Sequence, residues 1–274
     1  MMVEALVYFF VPALVGVLIG VASGLLGIGG GTVMVPIFRL AFGMSATMST
    51  ATSLFAIIPT SLSGAISHVK GKTCIPALGI AAGLGGACLS PVGVWLAQLS
   101  PDWLVMLAAA IIIGYSAINM FKKAFKLRPA GQPAEGADAS APTADDSSLS
   151  RKQLLQGAAI GLVAGLASGY VGVGGGFIMV PLMLSIIGIP MRKASGTSLI
   201  AVMILAIPGV IEQGIIGNIN YLAGIAIVIG TIPGAVIGAR LVTKVPERTL
   251  RLLFGCFLIV AAVMLVLNEV GIFG

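Results

Sequence analysis

Ten residues, GIGGGTVMVP from Gly27 to Pro36, return 145 positions later as GVGGGFIMVP from Gly172 to Pro181. The offset holds without insertion from Gly16 and Gly161 to Pro101 and Pro246. It passes through Ala22-Ser23-Gly24 with Ala167-Ser168-Gly169, Gly43 with Gly188, Thr52-Ser53-Leu54 with Thr197-Ser198-Leu199, and Gly64 with Gly209. What recurs is mostly glycine, proline and small residues, so backbone shape is what both halves must reproduce. The chain is therefore two copies of one design, and any fold must place each glycine run twice in equivalent surroundings.

Each run follows an apolar segment and precedes a short apolar stretch containing a proline. That pattern predicts a helix that stops and another that starts, with the amides of its first turn unpaired and available to an anion. Three successive glycines accept positive φ and leave no side chain between amides and guest. Two other readings stand beside this one. The spacing does not fit a GxGxxG turn after a strand, and there is no GxxxxGK[ST]. Alternatively the glycines let helices pack closely, as small residues do in membranes. Broken segments at matching places in two halves point to a transport site.

Of 274 residues, 58% are hydrophobic and 9% charged, against about 25% charged in soluble domains. The first half carries apolar segments near Ala5–Leu26, Gly29–Phe42, Ala46–Ser67, Cys74–Leu99 and Trp103–Phe121. The second repeats them near Leu154–Val171, Gly174–Ile187, Ala194–Ile211, Tyr221–Ala239 and Leu250–Leu267. Most match the roughly 20 residues a helix needs to cross a bilayer, and none alternates like a barrel strand. An all-α polytopic membrane protein is expected, with a broken or short helix after each glycine run. Residues 1–126 form the first repeat and 153–274 the second. Residues 127–152, rich in Ala, Pro, Ser and Asp, read as a flexible linker. Met1–Glu4 has no basic region, so the first apolar run reads as a span and not a cleavable signal.

The net charge of +6 lies in short loops, where it reports topology and not a nucleic acid partner. Lys122, Lys123, Lys126, Arg128, Arg151 and Lys152 put the linker in the cytoplasm. Lys70, Lys72, Arg192, Lys193 and the cluster from Arg240 to Arg251 fall on the same side, and only Arg39 dissents. Each half then has an odd number of crossings whether its short segment spans or re-enters. The two halves are thus expected to be inverted, with the site between them near the midplane of the inner membrane. Cys74, Cys88 and Cys256 show no metal or disulfide spacing, and neither cofactor nor metal is implied.

The twin glycine motifs, the pairs Thr52-Ser53 and Thr197-Ser198, and the following Ser63-Gly64 and Pro208-Gly209 resemble the TauE/SafE family of sulfite and organosulfur anion exporters. The resemblance covers both halves and omits only the linker. It implies transport of a small anion such as sulfite, thiosulfate or a sulfonate like sulfoacetate.

Independently of the family, the residues suggest a site. Gly29, Gly30, Gly31, Gly174, Gly175 and Gly176 would offer amides. Thr52, Ser53, Thr197 and Ser198 would donate hydrogen bonds without a fixed charge, unless they bond back to helices. Ser49 and Thr50 read as helix packing. His68, Glu212 and Gln213 follow the hydroxyl-bearing segments and are candidates for gating or coupling. Two further classes remain open: an anion channel, or a proton- or sodium-coupled importer of the same anions. A remote one is an intramembrane serine hydrolase using Ser45 and His68, although Ser45 also reads as a helix N-cap. Oligomeric state has no signature.

Overall fold

The computed structural model describes residues 2–126 and 150–269. The described residues form ten α-helices and no strands. These are α1 (Met2–Leu26), α2 (Gly31–Phe42), α3 (Ala46–Lys70), α4 (Pro76–Leu99), α5 (Asp102–Lys126), α6 (Arg151–Val171), α7 (Gly176–Leu182, continued by a π turn Met183–Ile187), α8 (Met191–Ile216), α9 (Tyr221–Leu241) and α10 (Glu247–Glu269). The linker expected over 127–152 lies outside the described residues up to 149. Arg151 and Lys152 already belong to α6, where Ser150 and Gln153 form a reciprocal capping box.

Helix starts follow local chemistry. Ser45 Oγ accepts from Met48 N at 3.2 Å, Pro76 opens α4, and Asn220 Oδ1 accepts from Ala223 N at 3.1 Å. Asp102 Oδ2 takes the amide of Ala46 at 3.2 Å, and Glu247, its equivalent in the second half, takes that of Met191 at 3.2 Å. Each carboxylate thereby caps a neighbouring helix at its positive end.

Contacts along the glycine faces fix the helix directions. Cβ atoms placed on Gly16, Gly20 and Gly24 of α1 would meet the carbonyls of Ile227, Thr231 and Ala235 in turn, so α1 and α9 run parallel. Gly161, Gly165 and Gly169 of α6 meet Ala82, Gly86 and Ser90 of α4 in the same way. The approach is backbone on backbone: a Cβ on Gly161 would lie 1.9 Å from the Ala82 oxygen. Such seams are how helices attract one another where lipid removes the hydrophobic drive. Thr52 with Asn220 and Thr60 with Thr231 run α3 parallel to α9, while Gly79 and Gly83 follow Thr197 and Ile204, running α4 parallel to α8. Across the centre, Gly64 faces Leu199 and Gly209 faces Leu54, so α3 and α8 are antiparallel. Helices α1, α3 and α9 thus point one way and α4, α6 and α8 the other, each opposite to its own equivalent.

One consequence concerns charge. The C-terminal ends of α3, α5 and α9 and the N-terminal ends of α6, α8 and α10 share one end of the bundle. All described basic residues except Arg39 gather there.

Seven helices, α3–α6 and α8–α10, are long and apolar enough to cross a membrane. The 12 residues of α2 cover about 18 Å, roughly half of a 30 Å hydrocarbon core. Gly29 packs on Ile57, halfway along α3, and Gly43 ends α2 just before α3 begins. Helix α2 therefore runs from mid-bundle to the end of the bundle opposite the basic one.

Candidate functional site

The two glycine runs meet at the centre of the bundle. Gly27, Gly29 and Gly30 have φ of 77°, 82° and 87°, and Gly172, Gly174 and Gly175 have 73°, 87° and 66°. Only glycine adopts this succession without strain. Gly31 and Gly176 have ordinary helical angles but no room: a Cβ on Gly31 would stand 2.5 Å from Val173 O, and one on Gly176 2.5 Å from Gly27 O. Ile57 and its equivalent Val202 close around both runs. Every residue from Gly27 to Gly31 and from Gly172 to Gly176 is buried.

What this burial leaves unmade is the chemistry of the site. Among the described residues the amides of Ile28, Gly29, Gly30, Gly31 and Thr32 meet no acceptor, and neither do those of Val173, Gly174, Gly175 and Phe177. Buried hydroxyls of Ser23, Thr32, Ser61 and Ser168 are unpartnered as well. Ser61 Oγ lies 3.3 Å from a Cβ on Gly29, and Ser23 Cβ lies 3.7 Å from one on Gly30. An orphaned buried donor costs about 1–3 kcal/mol, and two helix N-termini each carry roughly half a positive charge. Bringing two such ends together costs more unless an anion sits between them.

The residues singled out from the sequence divide. Gly29, Gly30, Gly31, Gly174, Gly175 and Gly176 are brought together, with Gly176 N donating to Gly174 O at 2.7 Å. Thr52 and Thr197 lie elsewhere: Thr52 Oγ1 accepts from Asn220 N at 3.0 Å and Thr197 Oγ1 from Ile75 N at 2.9 Å. Each hydroxyl accepts from the turn before an inter-repeat neighbour, α9 or α4, and that of Thr197 also gives its proton to Lys193 O at 2.7 Å. Ser198 buttresses the first run by donating to Gly27 O at 2.7 Å. Ser53, its equivalent, is buried without a partner.

His68 is fully buried and fully engaged. Its Nε2 donates to Gly24 O at 2.7 Å, and Thr73 Oγ1 stands 2.7 Å from Nδ1. It ties the end of α1 to α3 and has no nitrogen free for a ligand. Gln213, in the matching position, accepts from Asn218 Nδ2 at 2.8 Å. Glu212 is half-buried, with one carboxylate oxygen buried and unpartnered. Ser45 caps the start of α3 while His68 sits near its other end, about 35 Å away along a helix rising 1.5 Å per residue. A Ser45–His68 couple is therefore excluded.

Sequence reasoning missed Ser61, Ser23 and Ser168. The last two were visible as a matched pair, but Ser61 has Ala206 as its equivalent and left no signal in the repeat.

No solved structure matches the chain. It is 27% identical to the probable membrane transporter protein YunE of Bacillus subtilis, covering 97% of this chain and 99% of that one. It is 28% identical to YdhB of the same organism, covering 87% and 92%. Identity to a probable membrane transporter protein of Haemophilus influenzae is 28%, over 93% and 97%. Residues 12–265, which include both glycine runs and every helix around them, match the family model described as sulfite exporter TauE/SafE. An inverted, helical, glycine-seamed bundle with unpaired amides at its centre is thus the form taken here by a member of the TauE/SafE family of membrane transporters, to which this chain belongs.

Proposed function

We propose that this transporter exports a small sulfur-containing anion, sulfite, thiosulfate or a sulfonate such as sulfoacetate, from the cytoplasm across the inner membrane. The observation that carries the reading is the meeting of two opposed helix starts whose buried amides lack acceptors. Sulfite and sulfonate oxygens accept several hydrogen bonds at once, and neutral donors let the anion go again. Gly29, Gly30 and Gly31 with Gly174, Gly175 and Gly176 form the cradle, Ser23, Ser61 and Ser53 add hydroxyl donors, and Ser198 supports the first run. The bias of membrane proteins toward Lys and Arg on the cytoplasmic side supports reading the basic end, and with it the linker, as cytoplasmic.

The charge inventory favours export. Asp102 and Glu247 are occupied as helix caps, and among the described residues no carboxylate lies at the meeting of the runs. An anion leaving an inside-negative cell gains about 2.3 kcal/mol per charge for each 100 mV, so efflux needs no coupling ion. Proton-coupled import is the second reading, and it rests on the unpartnered Glu212 oxygen.

Proteoliposomes loaded with labelled sulfite separate the two. A potassium–valinomycin potential, negative on the side of the basic end, should accelerate efflux at constant pH. Efflux that ignores the potential and follows an imposed pH gradient would replace export with the second reading. Unitary currents in planar bilayers would make the protein a channel.

A further inference from the structure

At the basic end, a cleft of about 460 Å³ opens between α3 and α9. Its rim carries Lys70 and Arg240, and its floor carries Ser63 and Ser67. No carboxylate pairs with either cation among the described residues. The floor offers little to hold a ligand. Ser63 Oγ donates to Thr60 O at 2.9 Å and Ile232 O at 3.2 Å, and Ser67 Oγ donates to Ser63 O at 3.2 Å. Two exposed cations over a floor whose hydroxyl protons are spent make a surface that attracts anions without trapping them.

Position and asymmetry give the cleft a purpose. Gly64, next to Ser63, faces Gly24, and a Cβ there would be 3.8 Å from the Gly24 Cα. Gly24 precedes the first glycine run by one turn and is held by His68. The floor therefore backs onto the stretch that leads into the central site.

The repeat supplies an internal control. In the second half, Ser63, Ser67 and Lys70 become Pro208, Glu212 and Ile215, and Arg240 corresponds to Trp95. The same architecture at the opposite end is thus apolar and acidic. A fold built twice has been given cations at only one of its two mouths.

We propose that the α3–α9 cleft is a collecting vestibule for small oxyanions, in which Lys70 and Arg240 raise the local anion concentration on the basic side before transfer to the glycine runs. The assignment deepens the proposed export and rests on it for the identity of the cargo, but not for the anion-collecting potential itself.

Two readouts keep those claims apart. In a Cys74→Ala, Cys88→Ala, Cys256→Ala background, Ser67→Cys is labelled with the anionic sulfonatoethyl and the cationic trimethylammonium-ethyl methanethiosulfonate. Focusing by a charged cleft changes encounter rates by about 10- to 1,000-fold. The anionic-to-cationic rate ratio should fall at least about ten-fold on adding Lys70→Gln and Arg240→Gln at low salt. It should recover with Lys70→Arg and Arg240→Lys, and shrink in about 1 M salt, where the Debye length is about 3 Å. In proteoliposomes, the glutamine pair should raise the KM for sulfite offered from the basic side and leave the saturated rate unchanged. A labelling ratio indifferent to both substitutions overturns the vestibule, as does an unchanged KM in a protein that transports sulfite. Wild-type protein that moves no sulfite, yet shows the labelling effect, sinks the export reading and retains the vestibule.

Discussion

Gly31→Ala is the substitution that most sharply separates binding from scaffolding. The added Cβ would meet Val173 O at 2.5 Å, Ile57 Cδ1 at 2.6 Å and Val173 C at 2.7 Å. Two of these atoms are backbone of the opposite run and cannot turn aside. Restoring ordinary contact at 3.4 Å requires the runs to part by roughly 0.9 Å. Hydrogen bonds to a shared anion would begin near 2.9 Å, so an anion that stays with one run comes to lie about 3.8 Å from the other, where that bond is lost, and one that stays central has the bonds on both sides stretched to about 3.35 Å. Each bond to a charged group is worth about 1.5–3 kcal/mol, so the Kd for sulfite should rise roughly ten- to 150-fold. Apo stability should suffer less. Overpacking costs about 1–3 kcal/mol, offset by about 1 kcal/mol from replacing glycine in a helix. Gly43→Ala is the control, because Gly43 has φ +61° and nothing within 4 Å of its added Cβ. It should lose about 1–2 kcal/mol of stability through backbone strain and keep its affinity. Calorimetric titration of both purified variants with sulfite decides the matter. A Gly31→Ala protein binding within three-fold of wild type, as estimated from about 0.65 kcal/mol, would refute the idea that the space between the runs is the site.

Thr52→Val and Thr197→Val should each lower thermal stability, since the amides of Asn220 and Ile75 lose their acceptors at about 1–3 kcal/mol; sulfite affinity measured on the surviving folded protein should be unchanged. Ser61→Ala should do the opposite, leaving the apo melting temperature unaltered or raised while weakening sulfite about ten-fold or more, because its hydroxyl is unpartnered without ligand. A fall in apo stability equal to the loss of binding would make Ser61 a packing residue. Ser198→Ala removes a support of Gly27 O and should reduce both stability and affinity, read from a melting curve with and without sulfite.

Much of this architecture was legible in the sequence because it is written in glycine, whose placement answers to backbone geometry alone. The constant offset from Gly16 to Pro101 shows the two copies, and close glycine packing stands among its readings, but which helices pair along the seams, α1 with α9 and α4 with α6, is set by contacts that only the fold displays. The half-length of α2 showed in its closing Gly43 and the Ser45 cap. Hydroxyls were harder. Thr52 and Thr197 recur because the turn before α9 and α4 must be pinned twice, and symmetry of scaffold looks identical to symmetry of site in one dimension. Ser61 is the converse case, close to Gly29 yet alone in its repeat. A residue that breaks the internal symmetry becomes recognisable only once its surroundings are known. His68 is a candidate for gating or coupling by its place after the hydroxyl-bearing segment, and its two hydrogen bonds give it a strut's position at the end of α1.

The central claim is that both glycine runs hold one anion between them. Selenite, a heavier analogue of sulfite, tests it in crystals of the purified protein through anomalous scattering from selenium. The account predicts a single strong peak between the runs, with its oxygens within about 3.2 Å of amides from both the Gly27–Gly31 and Gly172–Gly176 stretches. A peak confined to one run, or one only at Lys70 and Arg240 under saturating selenite, would contradict it.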